Sequence, residues 1–219
     1  MWFPGSIEPQ GVHFLIAQYK VQAYPGLRIR KGDVVLDCGG FVGDWTRFAL
    51  SAGAWRVVTV EPSSENLECL RRNLSREIRE GRVLVYSKGL WDGDARLYLQ
   101  HREGNPAAHS VTGGSSGSGE WIDLTSIDKM VADLAMDRVD VIKMDIEGAE
   151  TRAIRGARTT LNRFRPRLAV ATEHTMDVLQ NNRNVIEAVR EIAPFYRPRC
   201  GYCRVTDRGV VPETLYFVQ

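Results

Sequence analysis

An α/β fold, with a mostly parallel sheet covered by helices on both faces, is predicted by three features of the sequence. Short β-branched runs alternate with stretches of helical apolar spacing. A cluster of glycines follows the first of those runs immediately, as in a doubly wound, Rossmann-like sheet. A length of 219 residues with 43% hydrophobic content suits one buried core better than two very small ones. The expectation is one domain over residues 1–219, with 1–25 as an N-terminal arm.

The first strand is predicted at Asp33–Asp37 (DVVLD), between Gly32 and the pair Gly39-Gly40. Asp44–Ala52 then has helical spacing at Trp45, Phe48 and Ala49, so the order is strand, glycine turn, helix. Val57–Val60 is the second strand. Ser63 opens one long helix with Glu65 in its first turn, Leu67, Leu70 and Leu74 along one side, and Gly81 as its stop. Val83–Tyr86 is the third strand, and after Trp91-Asp92-Gly93 a hairpin-like alternation runs to about Leu99. Residues 104–120 (GNPAAHSVTGGSSGSGE) have the composition of a flexible loop, placed where a lid or substrate loop would be inserted; His101 and His109, in or beside it, are expected in solvent. Val139–Met144 and Leu168–Thr172 are the fourth and fifth strands, and Met176–Ile192 is a helix. Tyr196–Val205 with Thr214–Val218 forms a C-terminal antiparallel hairpin, with Asp207-Arg208-Gly209 near its turn.

Composition excludes some functions. Lys plus Arg is 29 and Asp plus Glu is 27, so the formal charge of +2 gives no general attraction to polyanions. The expected partners exclude nucleic acid and membrane; a cytoplasmic location and a small-molecule partner are expected, and a homodimer is compatible with the reading. Four cysteines are too few for a disulfide framework, and Cys38 and Cys69 lie in apolar patterns that suit buried free thiols. Cys200 and Cys203 are a redox pair, half a zinc site, or two residues flanking a hairpin turn at Gly201-Tyr202; the turn is preferred because no second pair exists.

The most informative stretch is Val34–Thr46, VVLDCGGFVGDWT. A turn through Gly39, Gly40 and Gly43 lets backbone approach a ligand where a Cβ would collide. The spacing is not the G-x-G-x-x-G of pyrophosphate binders, and Asp37 two residues earlier would repel a diphosphate but suit the ammonium of an amino-acid moiety, directly or through water. Glu61, at the end of the second strand and before Pro62, can accept both hydroxyls of a ribose. Phe41 in the turn and Ser87–Trp91 (SKGLW, with Gly89) behind the third strand complete the expected cradle for an adenosyl amino acid. Trp91 reads as core ahead of stacking.

With these residues in view, VVLDCGGFVG, VVTVEPSSENLECLRRNL and above all VDVIKMDIEGAE resemble the FkbM-type class I methyltransferases. The similarity covers roughly Gly26–His174. It implies a seven-stranded fold, S-adenosylmethionine as donor with S-adenosylhomocysteine as product, and usually O-methylation of a sugar or natural product, a secondary-metabolism role. Cys38-Gly39-Gly40 stands where the family more often has aliphatic-Gly-Ala, and the N-terminal arm is short.

Ligands of a doubly wound sheet collect at the carboxyl ends of its strands, which here carry Asp145, Glu147, Glu173 and His174. Methyl transfer needs in-line alignment and, for a hydroxyl, removal of a proton. His174 is the preferred base, with Asp145 and Glu173 as catalytic neighbours and Asp145 also at the donor; the alternative has His174 as a helix cap or a satisfied partner of Asp145. Asp145, Glu147 and Glu150 also suit a helix start. A second reading has Asp145 with Glu147 or Glu173 holding a hard divalent ion that bridges a catechol-like or vicinal diol substrate; metal-free chemistry is preferred. His13 and Tyr19 in the arm line the pocket or pack; Trp2, Phe3, Phe14, Tyr24 and Trp91 add aromatic surface for a flat or cationic substrate.

Four rival functions remain. An N-methyltransferase would need alignment alone. A nucleic-acid methyltransferase is suggested by Arg152, Arg155, Arg158, Arg163, Arg165 and Arg167, yet N-P-P-[YF] is missing after the fourth strand. An NAD(P)-dependent oxidoreductase is disfavoured by Asp37. A non-catalytic S-adenosylmethionine-binding module differs only in turnover.

Overall fold

The computed structural model describes residues 1–8, 24–102, 104–112, 117–175, 177–201, 203–206 and 209–219. His13, Phe14, Tyr19 and Met176 of the sequence reading lie outside them. The main sheet has seven strands in the order β10-β13-β9-β8-β1-β2-β3. These are β1 (Val34–Cys38), β2 (Arg56–Val60), β3 (Val83–Tyr86), β8 (Val141–Met144), β9 (Arg167–Ala171), β10 (Arg197–Cys200) and β13 (Thr214–Val218). The first five are parallel, and β13 is antiparallel to both β9 and β10. Strand order reverses between β1 and β8, which opens a crevice at their carboxyl ends.

Alternation along each strand divides the core between the two faces. Leu36, Cys38, Val58, Val60, Ile142, Met144, Leu168 and Val170 point to one side. There they pack on α4 (Ile127–Asp133), α5 (Glu150–Arg155), α6 (Arg158–Phe164) and α7 (Val178–Ile192). Val35, Val57, Val83, Val141 and Ala169 point to the other, against Trp45, Ala49 and Leu50 of α1 (Asp44–Ser51) and Leu70 of α2 (Ser64–Asn73). Each fully buried Leu or Val side chain contributes about 1.5–3 kcal/mol relative to exposure. Cys38 and Cys69 are buried free thiols.

Three expectations are corrected. The single helix from Ser63 to Gly81 breaks at Leu74 (φ −110°, ψ 20°) and resumes as α3 (Ser75–Arg79), while Gly81 at φ +68° does stop it. Leu74 is fully buried, so packing sets the break. The expected C-terminal antiparallel hairpin is present, β10 pairing with β13, and within it β11 (Cys203–Thr206) pairs with β12 (Gly209–Pro212). A disulfide joins Cys200 to Cys203 between β10 and β11, which removes the half-zinc reading. Residues 104–120 are not one continuous loop. They include a 3₁₀ turn (Pro106–Ala108), β6 (Ser110–Thr112) and the start of β7 (Gly119–Thr125). With β4 (Gly89–Leu90) and β5 (Ala95–Gln100) these strands form a second sheet, β4-β7-β5-β6, closed by Leu99, Ile122 and Leu124. Among the described residues no helix is long and apolar enough to cross a membrane.

Candidate active site

Register builds the floor of the crevice. Asp37 and Lys143 are direct partners across β1 and β8, so their side chains emerge on the same face. The Lys143 ammonium lies 3.1 Å from Asp37 Oδ1 and 4.0 Å from Asp145 Oδ2, and donates to the Gly39 carbonyl at 2.7 Å. Both members of the central pair are buried, and Thr46 Oγ1 donates to Asp37 Oδ2 at 2.6 Å. Burial opposes the charge on Lys143, but Asp37, Asp145 and Asp44 outweigh it and keep the amine cationic. Burial likewise pushes Asp37 up, against the pull of Lys143 and Thr46. Asp37 has no exposed surface and anchors Lys143. The sequence reading missed Lys143, although a lone cation within the apolar run VIKM is a visible signal, because a buried Lys needs a counter-charge.

The glycine turn is also built for internal contact. A Cβ on Gly39, at φ +87°, would strike the backbone carbonyl of Asp145; one on Gly40 would strike Thr59 Oγ1, and one on Gly43 the Leu74 side chain. Protein atoms alone already exclude side chains at these three positions. The turn's Phe41 N–H donates to Glu61 Oε2 at 2.9 Å. Ser63 N–H (3.0 Å) and Asn66 Nδ2 (3.2 Å) donate to Oε1. Burial pushes Glu61 up to about 7 despite these donors. Beside it, Ser63 Oγ and Asn66 Oδ1 are buried with no hydrogen-bond partner. Two unpartnered oxygens flanking a carboxylate that retains lone-pair capacity fit the donor hydroxyls of a ribose.

The rim is less uniform than expected. Pro62 is half-buried after Glu61, and Ser87 is exposed after β3. Gly89 is buried in β4, where a Cβ would meet Leu124 and Ile122, so packing of the second sheet explains it. Trp91 packs against that sheet's core with Arg152 over its ring, consistent with core. His109, expected in solvent, is 9% exposed and stacked on His101 at 4.4 Å; burial, then His101, pull it down to about 4. Phe3 and Ile7 of the arm and Ala107 cover Phe41 and Val42.

At the carboxyl ends of β8 and β9 the acids gather around one imidazole. His174 Nε2 is 2.8 Å from Asp145 Oδ1 and 3.9 Å from Glu173 Oε1, and its Nδ1 is 3.1 Å from Glu147 Oε2. Tyr24 OH, its ring buried beside Trp45, donates to Asp145 Oδ2 at 2.6 Å. Burial opposes charge on His174, but Asp145 and Glu147 outweigh it and push the ring up to about 12. Burial would raise Asp145, but Lys143, His174 and Tyr24 together hold it below the usual carboxylate range. A ring with a carboxylate near each nitrogen is held in its protonated form, which weighs against His174 as the base. Glu147 adopts the left-handed conformation (φ 56°) before Gly148 (φ 99°). The helix-start role falls to fully buried Glu150, whose Oε1 accepts from Ile146 N–H (2.9 Å) and Gly148 N–H (3.3 Å). Asp145 and Glu147 instead face His174.

The family model for the methyltransferase FkbM domain matches residues 37–202. Among solved structures, the methyltransferase FkbM of Methylobacillus flagellatus KT superposes with a TM-score of 0.59 at 23% identity, covering 97% of this chain and 56% of that one. The chain thus spans little more than half the length of that relative. Aeropyrum pernix fibrillarin, with natively bound S-adenosyl-L-methionine, gives 0.51 at 11% identity, covering 93% and 74%. A Bacillus cereus O-methyltransferase in complex with SAH gives 0.49 at 16%, covering 99% and 84%. At these identities the likeness is one of fold. Comparison with curated proteins returns no match.

Proposed function

Because the chain belongs to the FkbM methyltransferase family, we propose that it is an S-adenosylmethionine-dependent methyltransferase acting on a hydroxyl of a small molecule such as a sugar or natural product. The observation that carries the donor half is Glu61, a buried carboxylate at the tip of β2 flanked by the unpartnered Ser63 Oγ and Asn66 Oδ1. Glu61 would hold the ribose hydroxyls, and the Gly39–Gly43 turn, locked by Lys143, would seat the amino-acid end. When bound, the donor supplies an electrophilic methyl group on a sulfonium.

The acceptor end supports a hydroxyl. Glu173 projects from the end of β9 with 35% of its side chain exposed, anchored by one oxygen to Thr172 N–H at 3.0 Å. Its other oxygen, 3.9 Å from His174 Nε2, would take the hydroxyl proton. His174, fixed between Asp145 and Glu147, orients these acids and lowers the local negative charge. The small-molecule reading is supported by the arginines of α5 and α6. Arg152 is paired with Asp92, and Arg155 and Arg158 each reach Glu191 at 4.0 Å, so these charges are already partly answered.

Calorimetry with S-adenosylhomocysteine on wild type and Glu61→Ala tests the donor half. Saturable uptake lost in the variant is expected, and wild type without uptake overturns the reading. Incubation of candidate acceptors with labelled donor, followed by mass spectrometry, tests the acceptor half. An O-linked product heavier by one methylene is expected, and an N-linked product would replace the hydroxyl assignment.

A further inference from the structure

We propose that the turns at the amino ends of β1, β2 and β3 form a docking surface for a membrane rich in anionic phospholipid. The formal charge of +2 averages over an uneven distribution. The carboxyl ends of the parallel strands carry the acids of the crevice. The turns and helix end that lead into β1, β2 and β3 carry Arg28, Arg30, Lys31, Arg56, Arg79 and Arg82. Arg28, Arg30, Lys31 and Arg79 are exposed, and Arg56 and Arg82 half-buried.

Backbone hydrogen bonds gather these cations. Gly32 N–H donates to the Gly53 carbonyl at 2.9 Å and Trp55 N–H to the Asp33 carbonyl at 2.8 Å, which sets Lys31 beside the turn that carries Trp55 and Arg56. Val57 N–H donates to the Arg82 carbonyl at 2.9 Å, which brings in the turn between α3 and β3. Among the described residues none of the six side chains has an ion pair, and Arg56 Nε has no hydrogen-bond partner. The acids beside them are mostly taken. Asp33 is buried and paired with Arg167 at 2.7 Å, and Glu80 is paired with Arg76 at 2.8 Å. Glu77 of α3 remains, against six cations.

Trp55 decides what kind of polyanion suits the face. Its ring is 56% exposed, with the Arg56 guanidinium 4.3 Å from its centroid. Indole rings favour the headgroup layer of a bilayer, where one edge is apolar and the other wet. Each basic side chain held near an anionic bilayer strengthens binding about fivefold. A nucleic acid would meet the same charges, but it would lie a strand's length, about 16 Å, from the crevice, and Arg56 covers one face of the ring on which a base would stack. Docked by this face, the protein keeps its crevice open to the aqueous side. The surface does not depend on the methyl-transfer reading.

Flotation of the full chain with vesicles of equal parts phosphatidylcholine and phosphatidylglycerol, against phosphatidylcholine alone, is the test. Saturable binding to the anionic vesicles is expected, and it should weaken as salt is raised. Arg30→Gln with Lys31→Gln should weaken it about 25-fold, two such contributions. Arg96→Gln, which removes a charge from the second sheet, should leave it unchanged. No binding, equal binding to neutral vesicles, or indifference to the double variant overturns the proposal. Quenching of tryptophan fluorescence by brominated lipid is an independent readout, expected in wild type and reduced in Trp55→Phe; undiminished quenching in Trp55→Phe would move the contact to another face. Tighter binding to single-stranded RNA than to anionic vesicles at the same salt would replace lipid by nucleic acid.

Discussion

Replacement of Lys143 by Met should expose how much the crevice depends on one buried ammonium. At 3.1 Å and an effective dielectric of about 20, its attraction to Asp37 is about 5 kcal/mol before desolvation is subtracted. The charge-assisted bond to the Gly39 carbonyl contributes about 1.5–3 kcal/mol more. Because removal of one partner strands the other in the core, the expected loss of unfolding free energy at neutral pH is about 3–5 kcal/mol. Asp37 would be left with Thr46 alone, and burial would drive its folded pKa further above the unfolded value. The folded variant then holds a proton that the unfolded chain has released. Its stability should therefore fall as pH rises from the unfolded carboxylate range toward the folded value, by up to about 1.4 kcal/mol per pH unit. Urea denaturation followed by tryptophan fluorescence, at several pH values, measures both effects. Lys143→Met with Asp37→Leu should recover most of the loss, since no unpaired charge remains. A cost below about 1 kcal/mol, or a deficit indifferent to acidification, would refute the reasoning.

Four further outcomes follow. Glu61, raised to about 7, must be ionised to accept ribose hydroxyls, so S-adenosylhomocysteine affinity should weaken as pH falls below that value, with proton release seen as buffer-dependent heats in calorimetry near pH 7. Gly39→Ala should abolish soluble folded protein, because its methyl meets the Asp145 carbonyl. Gly32→Ala, at φ +90° with nothing near its Cβ, should cost only about 1–2 kcal/mol in the same denaturation assay. Glu173→Gln should lower turnover of a hydroxyl acceptor by ~100-fold or more with donor affinity unchanged; equal loss of both would remove it from proton transfer.

What was legible in the sequence was local. The five parallel strands, the glycine turn, Glu61 and the acids after VIKM are each written in a few consecutive residues, where periodicity, φ preference and chain reversal act together. What failed depended on partners distant in sequence. Asp37 carries no sign that its neighbour across the sheet will be Lys143, so its charge seemed free for a ligand. His174 as a partner of Asp145 was legible as an alternative, but not that Glu147 would meet its other nitrogen, which depends on the pairing of β8 with β9. The glycines were legible as places without room, but not the particular protein atoms that crowd them, since Asp145, Thr59 and Leu74 are distant in sequence. Likewise, the Gly- and Ser-rich composition of residues 104–120 hid Val111, whose strand pairs with β5 and packs on a small core.

The meeting of Gly39 with the Asp145 carbonyl has a wider consequence. The glycine turn and the tip of β8 bear directly on each other, main chain to main chain, and Lys143 fastens the same two points from beneath. The two halves share a single hard stop, with no slack to let one slide while the other holds still. On the proposed reading, a new acceptor preference would come from exchanging side chains at positions such as 147 and 173 sooner than from moving the backbone at Gly39 and Asp145.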